Sequence, residues 1–216
     1  MVASAYGGKV SVGGTSTAFT TEACTLVSGN IYQITDSAKR AWNPAVAVSV
    51  YDGGVLQAAS AYSLNYLYGK ITFVAPPGGA VTVSGEYFPL WEVTTVKGYK
   101  LALSCALLDS SVMSQTQTHR VRTASLYDVT ASLSLYEQGN TDYDTGGGTK
   151  SMDSILTGAA VIFVQCKLGN ISNTWSAMLF ATDGEVSGAF DGLVENTMNF
   201  ALSAGVLGSS FKFSFE

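Results

Sequence analysis

Charge is the scarcest property of this sequence: Asp, Glu, Lys and Arg make up 12% of its 216 residues, about half the usual share of roughly 25%. The balance is acidic, sixteen Asp and Glu against eleven Lys and Arg, for a net −5. A phosphate backbone is not attracted to such a chain, which excludes a nucleic-acid binder that works by charge. One histidine, His119, and three widely spaced cysteines, Cys24, Cys105 and Cys166, supply almost no material for a zinc site. An odd set of thiols among apolar or small neighbours argues against a disulfide framework and for buried thiols in a reducing cytoplasm. The longest strongly apolar run, Ala159 to Val164, is far too short to span a bilayer. The first residues show no basic stretch leading into an apolar one, so no signal peptide is expected.

What is abundant is alternation of apolar with small polar residues, the mark of strands with one buried face. It runs through Val46, Val48 and Val50; Val81 and Val83; Leu101, Leu103, Cys105 and Leu107; Leu133 and Leu135; Met198, Phe200 and Leu202; and Phe211, Phe213 and Phe215. Ala160–Val164 is apolar at every position and reads as a central strand buried on both faces. Turn chemistry separates the runs: Asp52-Gly53-Gly54, Pro77-Gly78-Gly79, Asp183-Gly184 and Asp191-Gly192. One helix is expected, about two turns long. Ser151 caps it, Met152, Ile155 and Leu156 share a side, and Gly158 stops it. Too short to stand alone, it must pack on a sheet. The fold class is therefore all-β, a sandwich or barrel with one short flanking α-helix.

All four prolines fall at Pro44, Pro76, Pro77 and Pro89. Residues 25–90 thus read as a small β subdomain inserted into a core of 1–24 plus 91–216. The acidity is equally local. Residues 138–216 hold eight acids and three bases, whereas the two preceding stretches, 1–90 and 91–137, are each balanced four against four. The Gly-rich segment 138–148, with Asp142, Tyr143 and Asp144 before Gly146-Gly147-Gly148, carries a large ordering cost. It is either a mobile loop or one that orders against a partner. Too few charges to cover a monomer's surface point to a Ser/Thr/Asn/Gly-rich exterior or to cover by neighbouring subunits.

No catalytic set can be assembled. His119 sits in a polar segment with no Gly-x-Ser-x-Gly nucleophile turn nearby and reads as an exposed loop residue. Asp183, Glu185, Asp191 and Glu195 form the densest acidic cluster. They lack calcium-loop spacing, and two of the four fall in Asp-Gly turns, so they read as solvated turn acids rather than a calcium site or a glycosidase pair. Gly146 to Ser151 lacks the glycine that a phosphate loop needs before Lys150. Trp42, Trp91 and Trp175 either line a sugar-binding face or fill β cores, the more ordinary use of aromatics. Val112, Met113 and the polar run through Gln115, His119 and Arg120 to Arg122 look like the tip of a long hairpin, a solvated loop or a contact arm. No enzyme, metal or cofactor is expected.

The order of elements resembles the tail tube (major tail) proteins of tailed bacteriophages. The likeness begins with the strand and Gly-Gly turn Gly8-Lys9-Val10-Ser11-Val12-Gly13-Gly14. A β module follows, holding Ile31–Asp36, Tyr68–Phe73 and Val83–Tyr87. Paired strands around a polar hairpin, the Gly-rich loop, the short helix leading into an apolar strand, and the acid-turn segment from Trp175 to Gly208 complete it. This resemblance implies a structural virion subunit whose six copies form rings that stack into a tube for DNA ejection. It implies partners in further copies of itself, tape-measure, tail-terminator and baseplate or tip proteins, with passing DNA touched only transiently and no membrane involved. Synthesis in the host bacterial cytoplasm and residence in the virion tail follow. Candidate inter-subunit contacts are Val112, Met113, Gln115, His119, Arg120, Arg122, Asp142, Tyr143 and Asp144; Asp183, Glu185, Asp191 and Glu195 are assigned to the lumen on charge. The 25–90 module exceeds a minimal tube fold. It is an outward decoration, or else it marks another virion component such as a head–tail connector. A carbohydrate-binding β-sandwich is the alternative outside that class.

Overall fold

A computed structural model describes residues 9–92, 96–109, 122–136, 143–144, 149–150, 162–167, 174–188, 194–202 and 213–215. The chain is nearly all β, as the alternation predicts, and one of its two large antiparallel sheets curls into a half-barrel. The expected helix from Ser151 lies outside the described residues.

In chain order the strands are β1 (Lys9–Gly13), β2 (Thr17–Ser28), β3 (Ile31–Ile34), β4 (Ser49–Asp52), β5 (Val55–Leu56) and β6 (Tyr62–Asn65). Next come β7 (Lys70–Phe73), β8 (Val81–Tyr87), β9 (Leu90–Glu92), β10 (Val96–Asp109), β11 (Arg122–Tyr136) and β12 (Tyr143–Asp144). The last are β13 (Thr149–Lys150), β14 (Ile162–Lys167), β15 (Thr174–Gly188), β16 (Val194–Leu202) and β17 (Phe213–Phe215).

One sheet runs β5-β4-β8-β2-β3-β7-β6. Its bend comes from β2, whose first half pairs with β8 and whose second half pairs with β3. Within the half paired with β8, a bulge between Phe19 and Glu22 places Thr21 at φ +53, where its N–H donates to Ser84 Oγ at 2.9 Å. A bulge increases local twist and bends its strand, so both halves can wrap one core. That core holds Phe19, Ile34, Trp42, Val50, Leu67, Ile71 and Val83. Trp42, fully buried, meets Tyr66 edge-on at 6.3 Å and Phe19 at 6.1 Å between ring centroids.

Two of the turns read from the sequence meet here. Gly53 (φ +56) and Gly54 (φ +85) make the two-residue β4–β5 hairpin, which needs positive φ at both positions. The Asp52 carboxylate accepts hydrogen bonds from the N–H groups of Gly78 (2.9 Å) and Gly79 (2.6 Å). A Cβ on Gly79 would stand 2.8 Å from Gly53 Cα, so the turns interlock only because residue 79 is glycine.

The second sheet runs β10-β11-β16-β15-β14-β1-β9, with β17 also pairing with β15. β14 lies between β1 and β15, and its neighbouring residues serve opposite faces. Phe163 joins the core of the curled sheet together with Met178, whereas Val164 and Cys166 pack with Val10, Ala177, Leu179, Leu133, Met198 and Phe200. The described end of the all-apolar run, Ile162–Val164, is thus strand, with Phe163 and Val164 buried on opposite sides. Close approach of the two sheets depends on Gly13, where a Cβ would lie 3.0 Å from both Phe163 Cβ and Phe88 Cβ.

Candidate assembly surface

Past its apolar centre the second sheet has one buried and one polar face. Leu133, Met198 and Phe200 turn to the core. Residues of opposite parity share the other face: Ser132 opposite Asn199, Ser134 opposite Thr197, Tyr136 opposite Glu195 on β11–β16, and Asp183, Glu185 and Ser187 opposite Asn199, Thr197 and Glu195 on β15–β16. Three of the four acids singled out in the sequence therefore stand on one face. Asp183 and Glu185 are exposed and Glu195 is half-buried. Asp191 lies outside the described residues.

Asp183 is not in a turn. Asp183 and Gly184 sit inside the 15-residue strand β15, which corrects the reading of Asp-Gly as a strand terminator. A register shift between Ala181 and Asp183 absorbs one extra residue, Thr182. Without it, Asp183 would fall opposite Met198 and face the core, because side chains alternate with period two. Thr182 is held by a hydrogen bond from its Oγ1 to the Asn199 carbonyl at 3.1 Å. Nothing in the residue types announces this bulge; only the mismatch between an acid and a core parity, visible once β16 is the known partner, could have found it.

The polar face is not uniformly acidic. Lys97 Nζ pairs with Glu195 Oε1, and Lys100 lies opposite Ser132. Small side chains at Ala102, Thr130, Ser132 and Ala201, with Lys100 and Asn199, line an open trough of about 340 Å³ on this face. Among the described residues no group of three His, Cys, Asp or Glu side chains converges on a point where it could hold a metal ion. Trp42 is buried, which removes it from any sugar-stacking face.

The polar hairpin read from the sequence is framed by β10 and β11, paired from Val96↔Leu135 to Asp109↔Arg122. β16 accompanies β11 only over Thr130–Tyr136. Among the described residues, Arg122–Val129 thus has β10 as its sole strand neighbour, an arm of about 25 Å at the usual antiparallel rise. Arg122 is at the outer end of the paired stretch. Val112, Met113, Gln115, His119 and Arg120 lie outside the described residues, as does Asp142. Tyr143 and Asp144 form β12, which pairs with β13 as Tyr143↔Lys150 and Asp144↔Thr149.

At the opposite side of β10, 14 residues of backbone edge have no strand partner among the described residues. Long open edges are normally short, bulged, charged or covered, because they template pairing with another chain. β10 carries register shifts at Val96/Gly98 and Cys105/Leu107, leaving a regular stretch between them.

The two described thiols are inert. Burial pushes Cys166 up to about 12, and burial with the Glu22 carboxylate nearby pushes Cys24 up to about 12. Both remain protonated and free at neutral pH. The Cys105 side chain lies outside the description.

No family model matches the chain, and no curated protein matches it. Solved structures similar to it include a chain of the tail of an empty gene transfer agent particle with C6 symmetry: 13% identity, TM-score 0.46, covering 59% of this chain and 87% of that one. A chain in the virion of a native gene transfer agent particle is similar at 13% identity and TM-score 0.45, covering 59% and 88%. A chain of the six-fold anti-feeding prophage baseplate follows at 10% identity and TM-score 0.37, covering 59% and 83%. Likenesses of this size do not by themselves bear on the role of the chain.

Proposed function

We propose that the chain is a structural protein of a phage-type tail, the tail tube subunit, which assembles with identical copies into stacked rings of six around a channel for DNA. The observation that carries this reading is the edge of β10, a 14-residue rim on the larger sheet with no strand partner among the described residues. Between its two register shifts this edge runs regularly from Gly98 to Cys105, and an open regular edge is a template for pairing with another strand. Edge-to-edge docking satisfies its backbone groups and closes the sheet into a shared barrel. The β10–β11 arm reaches away from its own sheet and supplies contacts between subunits through Val112, Met113, Gln115, His119, Arg120 and Arg122, and the segment bearing Asp142, Tyr143 and Asp144 does the same.

In this assembly Asp183, Glu185, Asp191 and Glu195 face the lumen, where carboxylates repel phosphates and let DNA slide. The 25–90 module is a decoration on the outside of the tube. The protein has no catalytic step to perform, and its other partners are the tape-measure, terminator and baseplate proteins of the same particle.

Electron microscopy of the purified protein at high concentration tests the reading directly. Rings or tubes of uniform width are expected; monomers persisting under all concentrations and salts would overturn it. A variant lacking residues 140–148 should fold normally and assemble poorly.

A further inference from the structure

We infer that Asp52-Gly53 is an isomerisation site that the β7–β8 loop holds shut, so that isoaspartate forms there only when the two interlocked glycine turns come apart. The inference rests on local geometry alone and stands whether or not the chain assembles.

An aspartate followed by glycine is especially prone to this reaction, because no side chain shields the nitrogen that attacks. The Gly53 nitrogen bonds to Asp52 Cγ, and its proton leaves with the carboxyl hydroxyl as water. Water then opens the cyclic imide at either carbonyl. One opening returns aspartate; the other gives isoaspartate, in which the main chain runs through Cβ and Cγ. No other reactant is consumed, and the exposed Gly53 and Gly54 leave the turn in contact with water.

The folded turn opposes the first step at both reacting atoms. The carboxylate is held through each oxygen, Oδ2 accepting from the Gly78 N–H at 2.9 Å and Oδ1 from the Gly79 N–H at 2.6 Å. The Gly53 N–H donates to the Ala80 carbonyl at 3.0 Å. Gly79 also packs so closely that a Cβ there would stand 2.9 Å from the Gly53 nitrogen. The attacking atom and the group it attacks are thus fixed by one short stretch, Gly78 to Ala80. Attack requires the carboxyl to rotate and the nitrogen to shed its proton, so these contacts must break first, and the reaction proceeds through local opening of the loop. The change is also hard to undo. Isoaspartate carries its carboxylate on a different carbon and lengthens the main chain of the β4–β5 hairpin, so the turns no longer fit each other. The other Asp-Gly pair among the described residues, Asp183-Gly184, lies in the other large sheet, inside the β15–β16 ladder, and supplies an internal reference.

Ageing the protein at neutral pH, with isoaspartate quantified by peptide mapping and electron-transfer fragmentation, tests the site. Asp52 should convert at least about tenfold more slowly in the native protein than in the urea-unfolded chain. Gly79→Ala presses on the Gly53 backbone and should speed conversion at Asp52 about tenfold while leaving Asp183 unchanged. Gly78→Ala, whose Cβ would meet nothing within 4 Å and which keeps its N–H, should match the wild type. A native wild type that converts at Asp52 as fast as the unfolded chain overturns the proposal, and so does a folded Gly79→Ala as slow as the wild type. Should Gly79→Ala fail to fold, shown by Asp52 and Asp183 accelerating together, the wild type in graded sub-denaturing urea decides. Conversion at Asp52 should rise in proportion to hydrogen exchange at the Gly53 and Gly79 amides; conversion that rises without them overturns the proposal.

Discussion

Asp183 stands directly opposite Asn199 on the adjoining strand, and its carboxylate accepts a hydrogen bond from the Asn199 side-chain amide. That pairing exists because Thr182 is an extra residue in β15. The bulge changes the parity of everything after it, moving Asp183 and Glu185 to the polar face and leaving Ala181 with Phe200 on the core side.

Removing the extra residue should leave every face as it is. With Thr182 deleted, Asp183 follows Ala181 directly and still falls opposite Asn199, so only the bulge and the Thr182 hydrogen bond are lost. A change of about 1 kcal/mol or less is expected, read by urea unfolding. Thr182→Ala, which keeps the residue count, should cost about 1 kcal/mol or less.

Among the described residues Trp42 is the largest fully buried side chain, set between Tyr66 and Phe19. Truncation to alanine should cost about 3–5 kcal/mol. Its Nε1–H has no hydrogen-bond partner among the described residues, so Trp42→Phe should be much milder than the lost volume alone suggests. Parallel denaturant titrations of both variants check this.

Thr21 is a β-branched residue in the left-handed region, where a side chain raises the energy of the backbone. Thr21→Gly should raise stability by roughly 0.5–1 kcal/mol, the relief of strain exceeding the added freedom of the unfolded chain. The bond to Ser84 is made by the backbone N–H and survives the change. A fall in melting temperature would contradict it.

The glycine at 79 should tolerate nothing larger. Gly79→Ala presses a methyl on the Gly53 backbone, and a loss of about 1–3 kcal/mol is expected, measurable by thermal unfolding.

Cys24 and Cys166 give a pH dependence of definite sign. Each thiol rises from 9.0 to about 12 on folding, so between those values the unfolded chain releases protons that the folded chain keeps. The contribution is fully present below pH 9 and is lost as pH rises toward 12. In a Cys105→Ser background, a thiol reagent at pH 8 should label native protein very slowly and unfolded protein at once.

Much of this architecture is written locally. Val81 and Val83 are buried between half-buried Thr82 and Ser84, and Gly53-Gly54 makes its hairpin, because strand parity and turn dihedrals depend on near neighbours. Phe163 and Val164 were legible as a strand with two covered faces for the same reason. The strands β10 and β11 were legible from the alternation on either side of residues 110–121.

The polar face of the second sheet was less so. Asp183-Gly184 has the composition of a turn and is a strand interior, since pairing with β16 along its length outweighs the local preference of two residues. That three acids share a face and that two glycine turns interlock through Asp52 are both consequences of register and of segments far apart in the chain. Sequence by itself determined the all-β class, the strand parities and the sites of several turns. Tertiary structure alone decided which strand neighbours which, where an extra residue is absorbed, and which charges meet, because those depend on long-range pairing that no local preference encodes.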